Sequence, residues 1–221
     1  MCYYYLLHDL CEMELNAAES IYDKIADGLA EQGYAVIDNF LSREEVDKIV
    51  LLPEFRNGLE YFQKAGIGKK KDLQINEAIR GDYIHWIDRT SSHEAVSIYL
   101  NRLQELIQYL NRALYLSLKD YEVHMTVYPA GSFYKRHLDQ FKQDDHRKLS
   151  VICYLNPDWK EEHGGQLRVY LPDESKDFLP LAGRLVCFRS DQLEHEVLPS
   201  TRERLSLTGW ILDQLSDLRH L

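Results

Sequence analysis

The stretch RLSLTGWIL, residues 204–212, decides the fold. Taken alternately, it puts Leu205, Leu207 and Ile211 on one face and Arg204, Ser206, Thr208 and Trp210 on the other. A period of two is that of an extended strand, whose successive side chains point to opposite sides. The aliphatic face is expected to pack under the helices of the first half. The other face either meets solvent or lines a polar pocket. Residues 121–128 repeat the pattern, with Tyr121, Val123, Met125 and Val127 alternating with Glu122, His124, Thr126 and Tyr128. With 121–128 and 203–212, strand-like runs at 133–138, 147–155, 166–170, 184–189 and 194–198 make up a series separated by turn signals such as Pro129-Ala-Gly131, Asn156-Pro157 and Gly164-Gly165. So many short strands within about 90 residues suggest a sandwich or jelly roll.

Upstream the period changes. Ile21, Ile25 and Leu29 recur at helical spacing within 16–32 and stop at Gly33. Ser42 and Glu45 stand in capping-box positions at the head of a helix read as 42–64, and 92–116 carries Val96, Leu100, Leu103, Ile107, Leu110 and Leu114 on one stripe. AVIDNF, 35–40, reads as a short strand between the first two helices. The class is α+β, mainly β, and the expected organisation is one domain over 1–221, with helical support and first strands in 16–120 and the jelly-roll core in 121–212.

The chain has 221 residues, 45% of them hydrophobic, and a formal net charge of −10. That balance argues against a nucleic-acid or anionic-membrane surface. Nothing approaches the roughly 18 consecutive apolar residues of a membrane span, and the first residues make a poor signal peptide because Asp9 and Glu12 interrupt them early. Lys69 to Lys71, next to Gly66 and Gly68, reads as a solvated loop. Cys2, Cys11, Cys153 and Cys187 form no Cys-x-x-Cys pair, which fits free thiols in a reducing, cytoplasmic setting. No feature fixes an oligomeric state.

RHLDQF, 136–141, places His137 and Asp139 two apart after a strand, so that an imidazole and a carboxylate are expected side by side. His195, on another short strand, is the candidate third ligand. The remaining histidines have weaker claims: His8 and His220 are terminal, His93 starts a helix, His146 and His163 lie in polar loops, and His85 and His124 lack a carboxylate two residues on. Two histidines and one carboxylate on one side of a metal leave the opposite positions open, which suits Fe(II). Such a set can also hold zinc, but no general base is spaced as in the known hydrolase motifs. Arg204 shares its strand face with Ser206 and Thr208, and its fork is suited to grip a carboxylate of a dicarboxylic cosubstrate. A plain salt bridge is the alternative.

These residues resemble the His-x-Asp…His…Arg signature of the iron(II) and 2-oxoglutarate dependent oxygenases. More narrowly, the chain is similar to the prolyl 4-hydroxylase-like enzymes that act on hypoxia-inducible factor and to their bacterial relatives. IRGDYIHWID (79–88), YPAGSFYKRHLD (128–139), CYLNPDWKEEHGGQLRVY (153–170) and RLSLTGW (204–210) carry the resemblance in the same order, over about residues 33–212. It implies a double-stranded β-helix (jelly roll, cupin-like) core. It also implies iron ligation by His137, Asp139 and His195, and a distal 2-oxoglutarate carboxylate held by Arg204 and Tyr154, with Tyr128 and Thr208 near the cosubstrate. Arg80 and Asp82 match a mobile loop that folds over a peptide, and Arg147 and Trp210 match positions near its proline. The implied cofactors are Fe(II), 2-oxoglutarate and O2, with ascorbate as reductant. The implied activity is hydroxylation of a prolyl residue in a cytosolic protein with release of succinate and CO2. The same chemistry on a free amino acid, a small molecule or another residue is the alternative, and a noncatalytic ligand-sensing module is a third reading. Gly66, Gly68 and Gly81 would let the loop of 64–82 open and close. The YPAGSFYKRH turn is one residue shorter than in the animal enzymes, the HLDQFKQDDHRK connection differs in composition, and Lys135 shares the strand face of His137, a place expected only at the rim of a barrel.

Overall fold

The computed structural model describes residues 21–66, 76–88, 93–140 and 145–215. Within them eight strands form the jelly roll: β4 (Asp120–Tyr128), β5 (Tyr134–His137), β6 (Arg147–Tyr154), β7 (Leu167–Tyr170), β8 (Ser175–Phe178), β9 (Leu185–Arg189), β10 (His195–Val197) and β11 (Arg204–Leu212). First pairs with last and so inward: β4 with β11, β5 with β10, β6 with β9 and β7 with β8, all antiparallel. The smaller sheet runs β5-β10-β7-β8. The larger is extended by β1 (Tyr34–Ile37), β2 (Gln63–Lys64) and β3 (Tyr83–Trp86) into the order β1-β9-β6-β11-β4-β3-β2.

The alternation of the opening stretch appears directly in the packing. Leu207 and Ile211 join Val123, Met125, Val151 and Cys153 in a core shared with the helices. Tyr128, Ile152, Tyr154, Val186 and Phe188 face a second core between the two sheets. Burial on both faces explains why β6 and β9 are nearly continuous apolar runs.

Helix α1 covers 21–32 and turns off at Gly33, whose φ of +79° suits a glycine at a helix end. The 16–20 part of that helix, Cys2, Cys11, His8, His220 and the Lys69–Lys71 loop lie outside the described residues. Helix α2 (Arg43–Val50) has the expected capping box, with Ser42 and Glu45 bonded reciprocally. It does not run to 64: Pro53 opens a separate short helix, α3 (Pro53–Arg56), and a 3-10 turn follows at Gly58–Tyr61 before β2. A proline disfavours helical geometry in the residue before it, which separates the two pieces. Helix α4 (Glu94–Leu114) buries Val96, Tyr99, Leu100, Leu103, Leu106, Ile107 and Leu110 against the larger sheet. Arg102 ties α4 to α2 through Glu45 at 2.7 Å and to the Phe40 carbonyl at 2.6 Å.

Strand β8, SKDF, has no counterpart in the sequence reading. It is a polar edge strand with alternate residues exposed, so no apolar period marks it.

Candidate metal and cosubstrate site

His137 ends β5 and His195 begins β10, and the two residues stand directly opposite in the antiparallel ladder. Asp139 arrives differently from the expectation: β5 stops at His137, so the carboxylate comes from the turn beyond it rather than from the same strand face. The three side chains nonetheless bring one ligand atom each to within 4.8 Å of the others. His137 Nε2 lies 3.4 Å from one Asp139 oxygen and His195 Nε2 lies 3.7 Å from the other.

Both rings are oriented from behind. His137 Nδ1 lies 2.7 Å from the Lys135 carbonyl and His195 Nδ1 lies 3.2 Å from that of Leu193. A carbonyl only accepts, so Nδ1 carries the proton and the Nε2 lone pair is left for a ligand. Tyr134 lies flat on His137, and Phe188 meets His195 edge-on at 4.7 Å. Burial pushes His195 down to about 4 against the pull of Asp139, so the ring is neutral at pH 7. Burial works to raise Asp139, but His195, His137 and the Ser150 hydroxyl outweigh it and hold the carboxyl well below the usual range. Two imidazoles that present Nε2 and one carboxylate are a donor set for a divalent cation, and their chemistry fits Fe(II).

Arg204, at the head of β11, is 1% exposed. Its Nε donates to the Gly165 carbonyl at 3.0 Å, while Nη2 is buried with no hydrogen-bond partner among the described residues. The Tyr154 hydroxyl is likewise buried and unpartnered among the described residues, and the guanidinium carbon lies 4.8 Å from the Tyr154 ring centroid and 5.1 Å from that of Tyr128. Buried polar atoms are normally bonded, so an orphan guanidinium nitrogen beside an orphan hydroxyl reads as a receptor for an anion. Burial raises the Tyr154 pKa and Arg204 opposes it, and the hydroxyl keeps its proton to donate. Gly165, with φ +71°, backs this pocket: a Cβ there would lie 3.1 Å from the Trp159 ring and 3.4 Å from Arg204 Cδ. Thr208 contacts the Ser206 hydroxyl at 3.0 Å on the same face.

The four residues expected near a substrate are engaged with their own neighbours. Arg80 and Asp82 form a two-point ion pair at 2.8 and 2.6 Å, with Asp82 2% exposed. Their segment is tied to the residues flanking β5 and β2, Gly81 N donating to Phe133 O and Ala65 N to Asp82 O, each at 3.0 Å. Arg147 bonds Glu122 at 2.8 Å and lies 3.4 Å from the Trp210 ring centroid. Trp210 Nε1 is buried without a partner among the described residues, and the ring adjoins His124 and Trp86, the latter 43% exposed. A cavity of about 390 Å³ lies beside Arg80, Asp82 and the 129–133 turn, and its lining includes none of His137, Asp139 and His195. Lys135 is exposed, at the rim. Sequence reasoning missed Tyr134, Ser150 and Ser190: none belongs to a metal motif, and only their packing relates them to the ligands.

The 2OG-Fe(II) oxygenase superfamily profile matches residues 123–212, the jelly roll itself. A hypoxia-inducible factor prolyl hydroxylase of Caenorhabditis elegans is 30% identical over 217 residues, 88% of this chain but 28% of that protein, so the chain spans under a third of its length. A prolyl hydroxylase from Trichoplax adhaerens, solved in complex with a hypoxia-inducible factor oxygen degradation domain peptide fragment, superposes with a TM-score of 0.80 at 29% identity, covering 91% of this chain and 93% of that one. The crystal structure of a Pseudomonas putida prolyl-4-hydroxylase gives a TM-score of 0.79 at 39% identity, covering 88% of this chain and 100% of that one. With that bacterial enzyme matched along its whole length and the family profile matched over the jelly roll, this chain belongs to the 2OG-Fe(II) oxygenase superfamily, among its prolyl-hydroxylase-like members.

Proposed function

We propose that this chain is an Fe(II)- and 2-oxoglutarate-dependent dioxygenase that hydroxylates a prolyl residue in a cytoplasmic protein. The observation that carries the reading is the pairing of a His137-Asp139-His195 cluster with a buried, partly unsatisfied Arg204. When bound, Fe(II) and 2-oxoglutarate supply dioxygen activation, with one oxygen atom leaving in succinate, CO2 released and the other atom entering a substrate C–H bond. His137 and His195 offer Nε2 lone pairs, their tautomers set by backbone carbonyls, and Asp139 supplies the negative charge. Arg204 and the Tyr154 hydroxyl receive the distal carboxylate, with Tyr128 and Thr208 beside it. Phe188, Ile152 and Val186 keep water from the inner core.

On the substrate side, the relative solved with a peptide supports a peptide substrate, and we assign Arg80, Asp82, Arg147 and Trp210 to its border. Buried free thiols at Cys153 and Cys187 accord with a reducing compartment, and no helix among the described residues is long and apolar enough to cross a membrane. Ascorbate serves as the reductant that keeps the iron ferrous.

The test is an open-modification mass-spectrometric comparison of cytosolic lysate treated aerobically with iron, ascorbate, 2-oxoglutarate and either wild-type protein or His137→Ala. A one-oxygen gain on proline with wild type alone is the expected result. Oxidation of another residue, or succinate formation with no modified protein, would withdraw the prolyl or the protein-substrate claim.

A further inference from the structure

Asp139 is a ligand without a strand. It sits in the turn after β5, where nothing in the ladder determines its side-chain direction, yet its carboxylate must meet two strand-borne histidines. The turn is held from the larger sheet instead. Gln140 N donates to the Ser190 carbonyl at 3.1 Å, and the Ser150 hydroxyl donates to Asp139 Oδ2 at 2.6 Å. The Ser150 oxygen also lies 2.8 Å from the Ser190 hydroxyl. Ser150 is 1% exposed and Ser190 fully buried, so water does not compete.

Counting protons gives this chain a direction. A serine has one hydroxyl proton. Ser150 commits its proton to a carboxylate, an acceptor only, so the bond between the serines must run from Ser190 to Ser150. We infer that Ser190 and Ser150 form a directed hydroxyl relay that occupies Asp139 Oδ2 and leaves Oδ1 alone to ligate the metal. A carboxylate freed of this tether has no fixed orientation: ordering it again weakens binding of the ion, and where both its oxygens turn to the ion they occupy a position that cosubstrate or dioxygen needs. Ser150 and Ser190 are thus positioning residues, acting through Asp139 across the gap between the sheets.

The inference rests on the metal-site reading above, and the test separates the two. The 221-residue chain is titrated with Co(II), followed by its visible spectrum, for the wild type, Ser150→Ala, Ser150→Thr and Ser190→Ala. Partners of metal ligands typically matter about 10- to 100-fold in affinity. The expected result is a Co(II) Kd raised about 10-fold in Ser150→Ala with an altered spectrum, both restored in Ser150→Thr, and a smaller change of the same kind in Ser190→Ala. A folded Ser150→Ala with wild-type Kd and spectrum overturns the relay, because buried hydroxyls that merely satisfy each other would change stability alone. If Ser150→Ala does not fold, Ser190→Ala decides by the same criterion, an unchanged spectrum and Kd counting against the relay. A wild type that binds no Co(II) overturns the metal-site reading and the relay with it.

Discussion

Tyr134 lies face to face with His137, ring centroids 3.6 Å apart and planes 16° apart, and the Arg80 guanidinium covers the other side of Tyr134 at 4.3 Å. The imidazole is therefore fixed in plane by a ring and in tautomer by a carbonyl. Aromatic pairs of this kind are worth about 0.5–1.5 kcal/mol beyond their buried area. Tyr134→Ala should weaken divalent-metal binding about 3- to 10-fold on that scale, whereas Tyr134→Phe should leave it unchanged. Equilibrium Mn(II) binding to both variants checks this, and equal losses would assign the effect to the hydroxyl instead of the ring.

Arg204 is buried, and among the described residues its Nη2 has no partner, so in the ligand-free protein it costs stability rather than adding it. Removing it should uncouple two properties. Arg204→Met is expected to keep or gain thermal stability without ligand, because an uncompensated buried charge is gone. The stabilisation by 2-oxoglutarate, about 2.7 kcal/mol at a hundredfold excess over Kd, should disappear. Arg204→Lys should retain a fraction of it, since one ammonium cannot grip two oxygens. Thermal melts with and without 2-oxoglutarate decide, and a ligand shift surviving in Arg204→Met would move the carboxylate site elsewhere.

The strands that carry Tyr128 and Arg204 were legible because their faces differ in chemistry. Leu207 and Ile211 against Arg204 and Thr208 leave no choice of orientation, and the candidate ligand cluster follows from residue type. What was not legible depended on contacts between distant segments. His137 and Asp139 look like neighbours on a strand, but the strand ends at His137 and the carboxylate is positioned by Ser150, eleven residues on, and by Ser190, forty beyond that. SKDF carries no apolar period because it is an edge. The break after α2 did have a signal, Pro53, which reading 42–64 as one helix from its capping box passed over.

Arg80 and Asp82 show the same limit from the other side. Read as a mobile substrate loop, they form a buried ion pair, with side-chain exposures of 13% and 1%. Removing one partner of a buried pair costs about 3–5 kcal/mol, because the other is left uncompensated. Arg80→Ala should therefore destabilise the fold more than the double variant Arg80→Ala/Asp82→Asn. Urea unfolding of the two settles it, and equal midpoints would mean that the pair is not what holds this segment.

His124 predicts a pH dependence away from the ligand cluster. The ring is 2% exposed, with Trp86 and Trp210 at 4.9 and 5.6 Å and the Thr126 hydroxyl at 2.9 Å from Nδ1. Burial pushes it down to about 4 from an ordinary 6.5, with Asp82 opposing and Arg80 and Arg147 assisting. The unfolded state thus binds a proton below pH 6.5 that the folded state refuses until about 4. Stability from this group is complete above that window and is lost as pH falls through it, by about 2 kcal/mol between pH 7 and 5. Chemical denaturation at those two pH values should show a smaller drop in His124→Gln than in wild type, and parallel drops would mean that the ring is solvated.

Gly209 interrupts the opening stretch where a β-branched residue would otherwise serve the strand. It pairs with Val123 on one side and Val151 on the other, in the middle of the larger sheet. A Cβ there would run into the Glu122 carbonyl oxygen and lie 2.8 Å from Val123 Cγ2. Backbone cannot yield to a methyl as a flexible side chain can, so Gly209→Ala must shift β11 against β4. Overpacking of this kind costs about 1–3 kcal/mol, or a melting temperature lower by roughly 3–10 °C for a domain of this size. Because Thr208 and Trp210 flank the glycine on the face toward the site, the displacement should also raise the KM for 2-oxoglutarate. A variant as stable as wild type with an unchanged KM would mean that β11 absorbs the methyl by local twist, and that the site does not depend on its register with β4.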